Sequence, residues 1–326
     1  MSTSPRAASH PAVVPAAKPV DLEELGENAA EIQGRSPWQL AWARLRHDRV
    51  AIASVIVIAL ITLAAIFAPL IARLVGHGPG DQYPYLALNG YGLPVGPNRT
   101  FLFGADDVGR DVLVRVVYGA RISLIAGVVA SGLAVIVGAI VGMVAGYFGT
   151  LVDTALSRFM DVILSFPLLL FAIALVSIVG PSLTVTIAVI AFFSWAVVGR
   201  IIRGQTLSLR EKEFVEAARS LGASDLRIMF VDILPNLVAP ILVYTTLLIP
   251  SSIVFEASLS FLGLGVVPPT PSWGNMLSDA EPYYKVAWWF IIYPGTALLL
   301  TTLAFNLLGD SVRDALDPRY ARLFKA

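Results

Sequence analysis

ISLIAGVVASGLAVIVGAIVGMVAGYFGTLV, residues 122–152, runs from Arg121 to Asp153 without one Asp, Glu, Lys or Arg. About 20 apolar residues cover the roughly 30 Å hydrocarbon core of a bilayer, so this run predicts a helix that crosses a membrane. Outward from it, further charge-free runs occupy 50–72, between Arg49 and Arg73, 233–255, between Asp232 and Glu256, and 286–309, between Lys285 and Asp310. The run 162–199, between Asp161 and Arg200, is too long for one helix. Gly180-Pro181-Ser182 divides it into two helices joined by a tight turn. The expectation is an all-α polytopic protein with six transmembrane helices. A further uncharged stretch, 257–278, contains Pro268, Pro269, Pro271 and Gly274. Facing lipid, its backbone would leave polar groups unpaired, so it reads as an outer loop or a re-entrant segment packed on protein.

Composition agrees. Of 326 residues, 56% are hydrophobic and 14% charged, against about 25% charged in a soluble domain, and the mean hydropathy is +0.75. Lys plus Arg equals Asp plus Glu, 23 each, which removes the basic face that nucleic acid needs. Cysteine is absent, excluding disulfides, thiolate nucleophiles and thiolate-bound metals. His10, His47 and His77, the three histidines, all precede the main apolar region, so a histidine-built metal or catalytic site is not expected. With both termini in the cytoplasm, inner segments hold 17 of the basic residues and outer segments 6. That asymmetry sets the expected orientation.

Residues 1–35 are rich in Pro, Ala and Ser and read as a disordered cytoplasmic tail. No apolar run precedes Val50, so no cleavable signal peptide is expected and the first span directs insertion. Ser36-Pro37 offers an N-cap and a first-turn proline. Trp38, Trp42 and Leu45 recur at helical spacing beside Arg44, Arg46 and Arg49, which suits an interfacial helix over 36–49; a plain extension of the first span is the alternative. The first transmembrane helix then covers 50–72 and an outer loop 73–118. A core over 119–309 holds five further spans and a cytoplasmic loop at 204–235, and 310–326 is a cytoplasmic tail.

The most informative polar segment is TLSLREKEFVEAARSLGASDLRIMFVDILPN, 206–236. Ser208 and Glu211 have capping-box spacing, predicting a helix from about Leu209 to Leu221. Gly222 supplies a left-handed terminator. Ser224 caps a second helix with Asp225 at its positive end, and Pro235 follows where the chain re-enters the membrane. Ala217 and Ala218 permit close approach of another surface, and Glu216 and Arg219 supply directional contacts. A solvated loop is the bland alternative.

The string EAA-RSL-G followed by ILP resembles the EAA loop of binding-protein-dependent ABC importer permeases. On that resemblance Glu216, Ala217, Ala218, Arg219, Gly222, Asp225, Leu234 and Pro235 are the ATPase-coupling residues. Asp232 departs from the pattern, which has an apolar residue there. FGADDVGRDVLVRVVYGARISL (103–124), DVILSFPLLL (161–170), FVEAARSLGASD (214–225), EASLSFLGLGVVPPTPSWGNML (256–277) and AFNLLGDSVRDALDPR (304–319) extend the likeness over about 36–320. Together they resemble the peptide and nickel importer class, in particular its dipeptide/oligopeptide C-type subunit.

The resemblance implies a type I ABC importer permease fold in the cytoplasmic membrane of a prokaryote. It implies a homologous permease subunit as heterodimeric partner, two ABC ATPase subunits that bind ATP and Mg, an extracytoplasmic substrate-binding protein and a peptide substrate. No catalytic, cofactor-binding or metal-binding residue is then expected in this chain. Nickel chelates and glutathione-like peptides are alternative cargoes. A secondary transporter would need ionisable residues inside its spans, and the six runs have none away from their ends; a scaffold would leave the elbow without purpose.

Three further constellations stand out. Gly104–Gly109 has phosphate-loop spacing, but Arg110 and Asp111 replace the required Lys and Ser/Thr, so its charges read as local ion pairs or a partner contact. Gly127, Ser131, Gly138, Gly142 and Gly146 form a helix-packing stripe, within this subunit or along the pathway. Glu256, Pro268, Pro269, Trp273 and Asn275 are candidates for an outer gate or a binding-protein contact. At the C-terminal end, Asp310, Arg313, Asp314 and Asp317 have salt-bridge spacing, and Asp153, Arg158 and Asp161 lie on the expected inner loop before the third span.

Overall fold

Helix boundaries follow from caps and prolines in a computed structural model that describes residues 37–316. The expectations for 1–35, Ser36, Asp317 and Pro318 lie outside the described residues. Helix α1, Pro37–Leu45, precedes α2, Arg49–Ile66, which Asp48 caps by accepting from Val50 N at 2.8 Å. The first span is interrupted: Phe67 ends α2, and α3, Ala68–Val75, restarts with Pro69 in its first turn. The short α4, Pro84–Ala87, lies in the segment leading to α5, Val112–Phe148.

Helix α5 begins ten residues before the charge-free run, so the expected loop 73–118 is shorter than its sequence implied. Asp111 caps it by accepting from Leu113 N (2.8 Å) and Val114 N (3.2 Å). At 1.5 Å per residue it is about 55 Å long, well beyond a bilayer's hydrocarbon thickness.

The expected inner loop carrying Asp153, Arg158 and Asp161 is instead helix α6, Thr150–Ser165. It meets α7, Leu168–Val179, at 79°. Pro167 causes the bend, because it holds the preceding Phe166 in extended backbone (ψ 133°) and cannot donate a helical hydrogen bond. Ser182 then caps α8, Leu183–Arg210, accepting from Val185 N at 3.2 Å. Helix α9 is Glu213–Ser220, α10 is Asp225–Phe261, α11 is Trp273–Ala280 and α12 is Trp288–Leu316. The last span therefore continues into the expected tail 310–326. Helices α2, α5, α8, α10 and α12 are each long and apolar enough to cross a membrane, and α6–α7 makes a sixth if the bent pair is one span.

Helix α5 is the centre. A Cβ on Gly138 would stand 2.6 Å from Trp195 O, and one on Gly146 2.7 Å from Thr206 Cβ, both on α8. Gly142 lies equally close to the α8 backbone at Gly199, and Gly127 faces Ile253 of α10. Ser131 Oγ and Ser252 Oγ share a hydrogen bond of 2.9 Å. The small-residue stripe is thus covered by two helices of the same chain. Such close backbones gain dispersion contacts that lipid cannot supply. Helix α12 joins α10, and α2 lies outside it, with Ile58, Ile61 and Ala65 packed near Phe305.

Candidate functional site

The elbow between α8 and α10 is built on α5. Helix α8 does not stop at Ser208; it continues to Arg210, and Lys212, extended at φ −86°, ψ 147°, precedes α9. The capping box at Ser208–Glu211 is therefore absent. Tertiary contacts outweigh the local signal: Arg203 makes a two-pronged pair with Asp153, and Arg210 Nη1 donates to Gly146 O and Tyr147 O at 3.4 and 3.3 Å. Both keep the last turns of α8 on α5 and α6. Arg200 adds a 2.6 Å bond to Asp161.

Helix α9 buries one side chain, Val215, in a cluster with Tyr147, Val198, Ile202, Ile228, Met229 and Ile233. The rest of its surface is open. Glu216, Ala217 and Arg219 are exposed and Ala218 is half-buried, while apolar Leu221 and Leu226 are 88% and 65% exposed. Gly222 has φ +81° with nothing within 4 Å of an added Cβ, so the left-handed backbone is what demands glycine there. Its N–H donates to Arg219 O at 3.0 Å, and Ala223 N donates to Ala218 O at 3.1 Å, closing the end of α9.

Ser224 precedes the second helix without making a side-chain cap. The adjoining Asp225 accepts from Tyr147 Oη at 2.7 Å, and the Arg219 guanidinium lies 6.0 Å from the same phenol ring. Tyr147 therefore pins the elbow to the end of α5. Sequence reasoning missed it, because nothing in the spacing couples a tyrosine near the end of an apolar run to an acid 78 residues later.

Residues Ile228–Ile233 form a π-helical turn just before Leu234 and Pro235. Pro235 cannot donate the ordinary intrahelical bond, and a widened turn ahead of it accommodates that loss. Asp232, the departure from the motif, is half-buried in this turn, and its carbonyl accepts from Asn236 Nδ2 at 2.7 Å. Leu234 packs on the Val215 cluster, and Pro235 is exposed.

At the far end of the spans, Glu256 is fully buried. It accepts from Ser123 Oγ on α5 (2.8 Å) and Ser260 Oγ on its own helix (2.7 Å). Ser260 Oγ in turn accepts from Val266 N at 3.0 Å. Asn275 and Ser272 form the capping box that starts α11, and Asn275 Nδ2 also donates to Val266 O (3.0 Å) and Thr270 O (2.8 Å). Trp273 is buried and donates from Nε1 to Val116 O at 3.0 Å. Glu256 and Trp273 therefore tie this segment to α5, Asn275 braces the turn within it, and all three are buried in this structure. Pro268 and Pro269 are exposed.

The phosphate-loop decoy is a folded ion cluster. Asp106 accepts from the backbone N–H of Val108 (3.1 Å) and Arg110 (2.8 Å) and pairs with the Arg110 guanidinium. Arg115, fully buried, lies 3.3 Å from Asp106 and 3.8 Å from Asp279 of α11. Burial pushes the Asp107 and Asp279 carboxyls above the usual range, Asp107 further so by the neighbouring Asp106 charge. Asp111 caps α5 and accepts from His77 Nδ1 at 2.7 Å, a contact sequence reasoning also missed. At the elbow end of α12, Asp310, Arg313 and Asp314 make no ion pair among the described residues, contrary to their spacing.

Residues 134–322 match the family described as the inner membrane component of binding-protein-dependent transport systems. Residues 36–90 match the N-terminal transmembrane domain of oligopeptide transport permease C. The chain is 43% identical to the dipeptide transport system permease protein DppC of Alkalihalophilus pseudofirmus, over 87% of this chain and 90% of that protein. It is 40% identical to the di/tripeptide permease DppC of Pseudomonas aeruginosa, over 87% and 93%. Identity to the glutathione transport system permease protein GsiD of Escherichia coli is 42%, over 88% and 92%. Among solved structures, a chain of the inward-facing MetNI methionine ABC transporter superposes with a TM-score of 0.51 at 16% identity, covering 62% of this chain and 96% of that one; this likeness is one of fold.

Proposed function

The chain belongs to the inner membrane components of binding-protein-dependent transport systems, with the type I ABC importer permease fold, and we propose that it is the C-type subunit of an ATP-driven importer of di- and oligopeptides. The observation that carries the coupling role is the elbow: an exposed face made by Glu216, Ala217 and Arg219 of α9, Leu221 just past its end and Leu226 at the start of α10, fastened to α5 through Val215 and Tyr147. A loose loop would transmit no force; this one moves only with the spans.

In this reading two ATPase subunits, which bind ATP and Mg, grip the elbow in the cytoplasm. A homologous permease subunit completes the pathway, and an extracytoplasmic binding protein delivers peptide at the opposite face, where Pro268 and Pro269 are exposed. The chain itself carries out no covalent chemistry, and both termini lie in the cytoplasm of a prokaryote. ATP acts on the spans only as far as it binds one arrangement of the ATPase pair more tightly than the other, and the elbow is its lever on this subunit.

Peptide cargo is supported by the dipeptide and di/tripeptide relatives. Glutathione-like peptides are a second reading, favoured by the equally extensive GsiD likeness, and nickel chelates a third. Uptake of labelled dipeptide, glutathione and nickel by a deletion strain, with and without this chain restored together with its partner subunits, separates them. Dipeptide uptake restored alone or most strongly is the expected result. Restoration of glutathione or nickel uptake without dipeptide uptake overturns the peptide assignment.

A further inference from the structure

At the elbow end of the spans, α2 and α12 part to leave a groove of about 340 Å³. Val50, Ala53 and Val57 line one wall and Leu300, Leu303 and Leu307 the other. The lining is almost wholly apolar, and it lies on two helices that cross the membrane. Its polar end is Arg49, the first residue of α2. That side chain is exposed and has no hydrogen-bond or ion-pair partner among the described residues. The adjacent Asp48 does not neutralise it by contact, since its carboxylate caps α2.

The depth of Arg49 is marked independently. Helix α1 lies against the end of α12, with Arg44 Nη1 donating to Ala315 O at 3.1 Å. It exposes Trp38 and Trp42 (68% exposed) beside the exposed Arg46 and His47. Exposed tryptophan with basic residues is the composition of the headgroup region. The groove thus runs from headgroup depth into the hydrocarbon, apolar where the membrane is apolar and cationic where lipid phosphates lie.

We propose that the groove between α2 and α12 is a binding site for one anionic phospholipid of the leaflet on the elbow side, its acyl chain along Val57 and Leu303 and its phosphate on Arg49. Any lipid tail can fill an apolar groove, so tail packing gives occupancy without selection. Selection comes from charge. The headgroup of phosphatidylcholine has no net charge, whereas phosphatidylglycerol leaves a full negative charge beside the guanidinium. One basic side chain near an anionic headgroup supplies a preference of about fivefold. The site does not depend on which cargo the transporter carries.

The test places a photoreactive benzoylphenylalanine at position 57 of the full chain, in vesicles of equal phosphatidylglycerol and phosphatidylcholine, and weighs the cross-linked product. The expected product is a lipid adduct in which phosphatidylglycerol exceeds phosphatidylcholine about fivefold. The same probe at position 55, on the opposite face of α2, should return the bulk ratio. Arg49→Gln should bring position 57 to that ratio, Arg49→Lys should retain the preference, and Ala53→Phe should remove the adduct. Equal lipid adducts at 57 and 55, a preference that survives Arg49→Gln, or an adduct that survives Ala53→Phe overturns the proposal. So does a cross-link to residues 1–36 or to another subunit, since the groove then belongs to protein.

Discussion

Tyr147→Phe tests whether the elbow is fastened to the spans as the geometry implies. The change keeps the ring that lies under Arg219 and its edge contact with Phe148, centroids 5.2 Å apart, and removes only the 2.7 Å bond to Asp225. A hydrogen bond to a charged acceptor contributes about 1.5–3 kcal/mol. Asp225 is exposed, so water replaces the phenol and about 1 kcal/mol of net loss remains. At tenfold per 1.4 kcal/mol, that raises local opening of the elbow about fivefold. Amide hydrogen exchange over 213–227 in the assembled transporter should accelerate by that factor, with exchange in the middle of α5 unchanged. A double-mutant cycle with Asp225→Asn should recover a coupling of about 1 kcal/mol. Unchanged exchange in the elbow, or additive effects of the two substitutions, would falsify the pin. Transport per ATP hydrolysed should fall in step with the added opening, because an unfastened elbow moves without the spans.

Other expectations follow from the same packing. Gly142→Ala should sharply reduce the yield of folded protein in detergent, because the methyl meets the α8 backbone, whereas Gly132→Ala, with nothing within 4 Å, should be neutral or stabilising by up to about 1 kcal/mol; equal yields of the two refute the α5–α8 contact. Glu256→Leu leaves the buried Ser123 and Ser260 hydroxyls without their acceptor, at about 1–3 kcal/mol for each unsatisfied group, and should expose 262–272 to protease, while Glu256→Gln should be much milder. Gly222→Val forces a β-branched residue into left-handed backbone, costing about 1–2 kcal/mol, and together with Glu216→Lys on the exposed face should abolish uptake with the chain still inserted; unchanged substrate-stimulated ATP hydrolysis in an intact complex argues against the lever. Asp107 and Asp279 have folded-state values above their unfolded ones, so the stability they contribute is full at low pH and is lost as pH rises through the raised values. Protease resistance of 80–110 should fall over that interval, and Asp107→Asn with Asp279→Asn should flatten the change.

Much of the architecture is legible from charge alone. A side chain that cannot be left in hydrocarbon marks the limits of a span, so Arg121 and Asp153 bracket one by their positions in the chain. The limits of a helix are another matter. Helix α5 begins at Val112 because Asp111 caps it and because Arg115 has Asp106 and Asp279 nearby; a charge with protein partners does not end a helix. The α6–α7 bend was written in Phe166-Pro167, a signal overshadowed by the long apolar run around it. The Ser208 capping box failed because capping is worth about 1 kcal/mol, less than the two-pronged Arg203–Asp153 contact and the α5–α8 packing that continue the helix past it.

What the sequence determined by itself was local or periodic. The apolar runs are set by the cost of burying charge, the stop at Gly222 by its backbone freedom, and the elbow's place by the helical phrases on either side. What only the tertiary structure decided was the choice of partner. Glu256 reads equally as a gate or an anchor until Ser123 and Ser260 are seen to enclose it. The glycine stripe reads as packing within the subunit or as lining of the pathway until α8 is found against it. Tyr147 reads as one more aromatic at a membrane edge until Asp225 meets it. Pairings between residues far apart along the chain leave no periodic trace, because they are selected by how whole helices pack and not by the spacing of residues within any one of them.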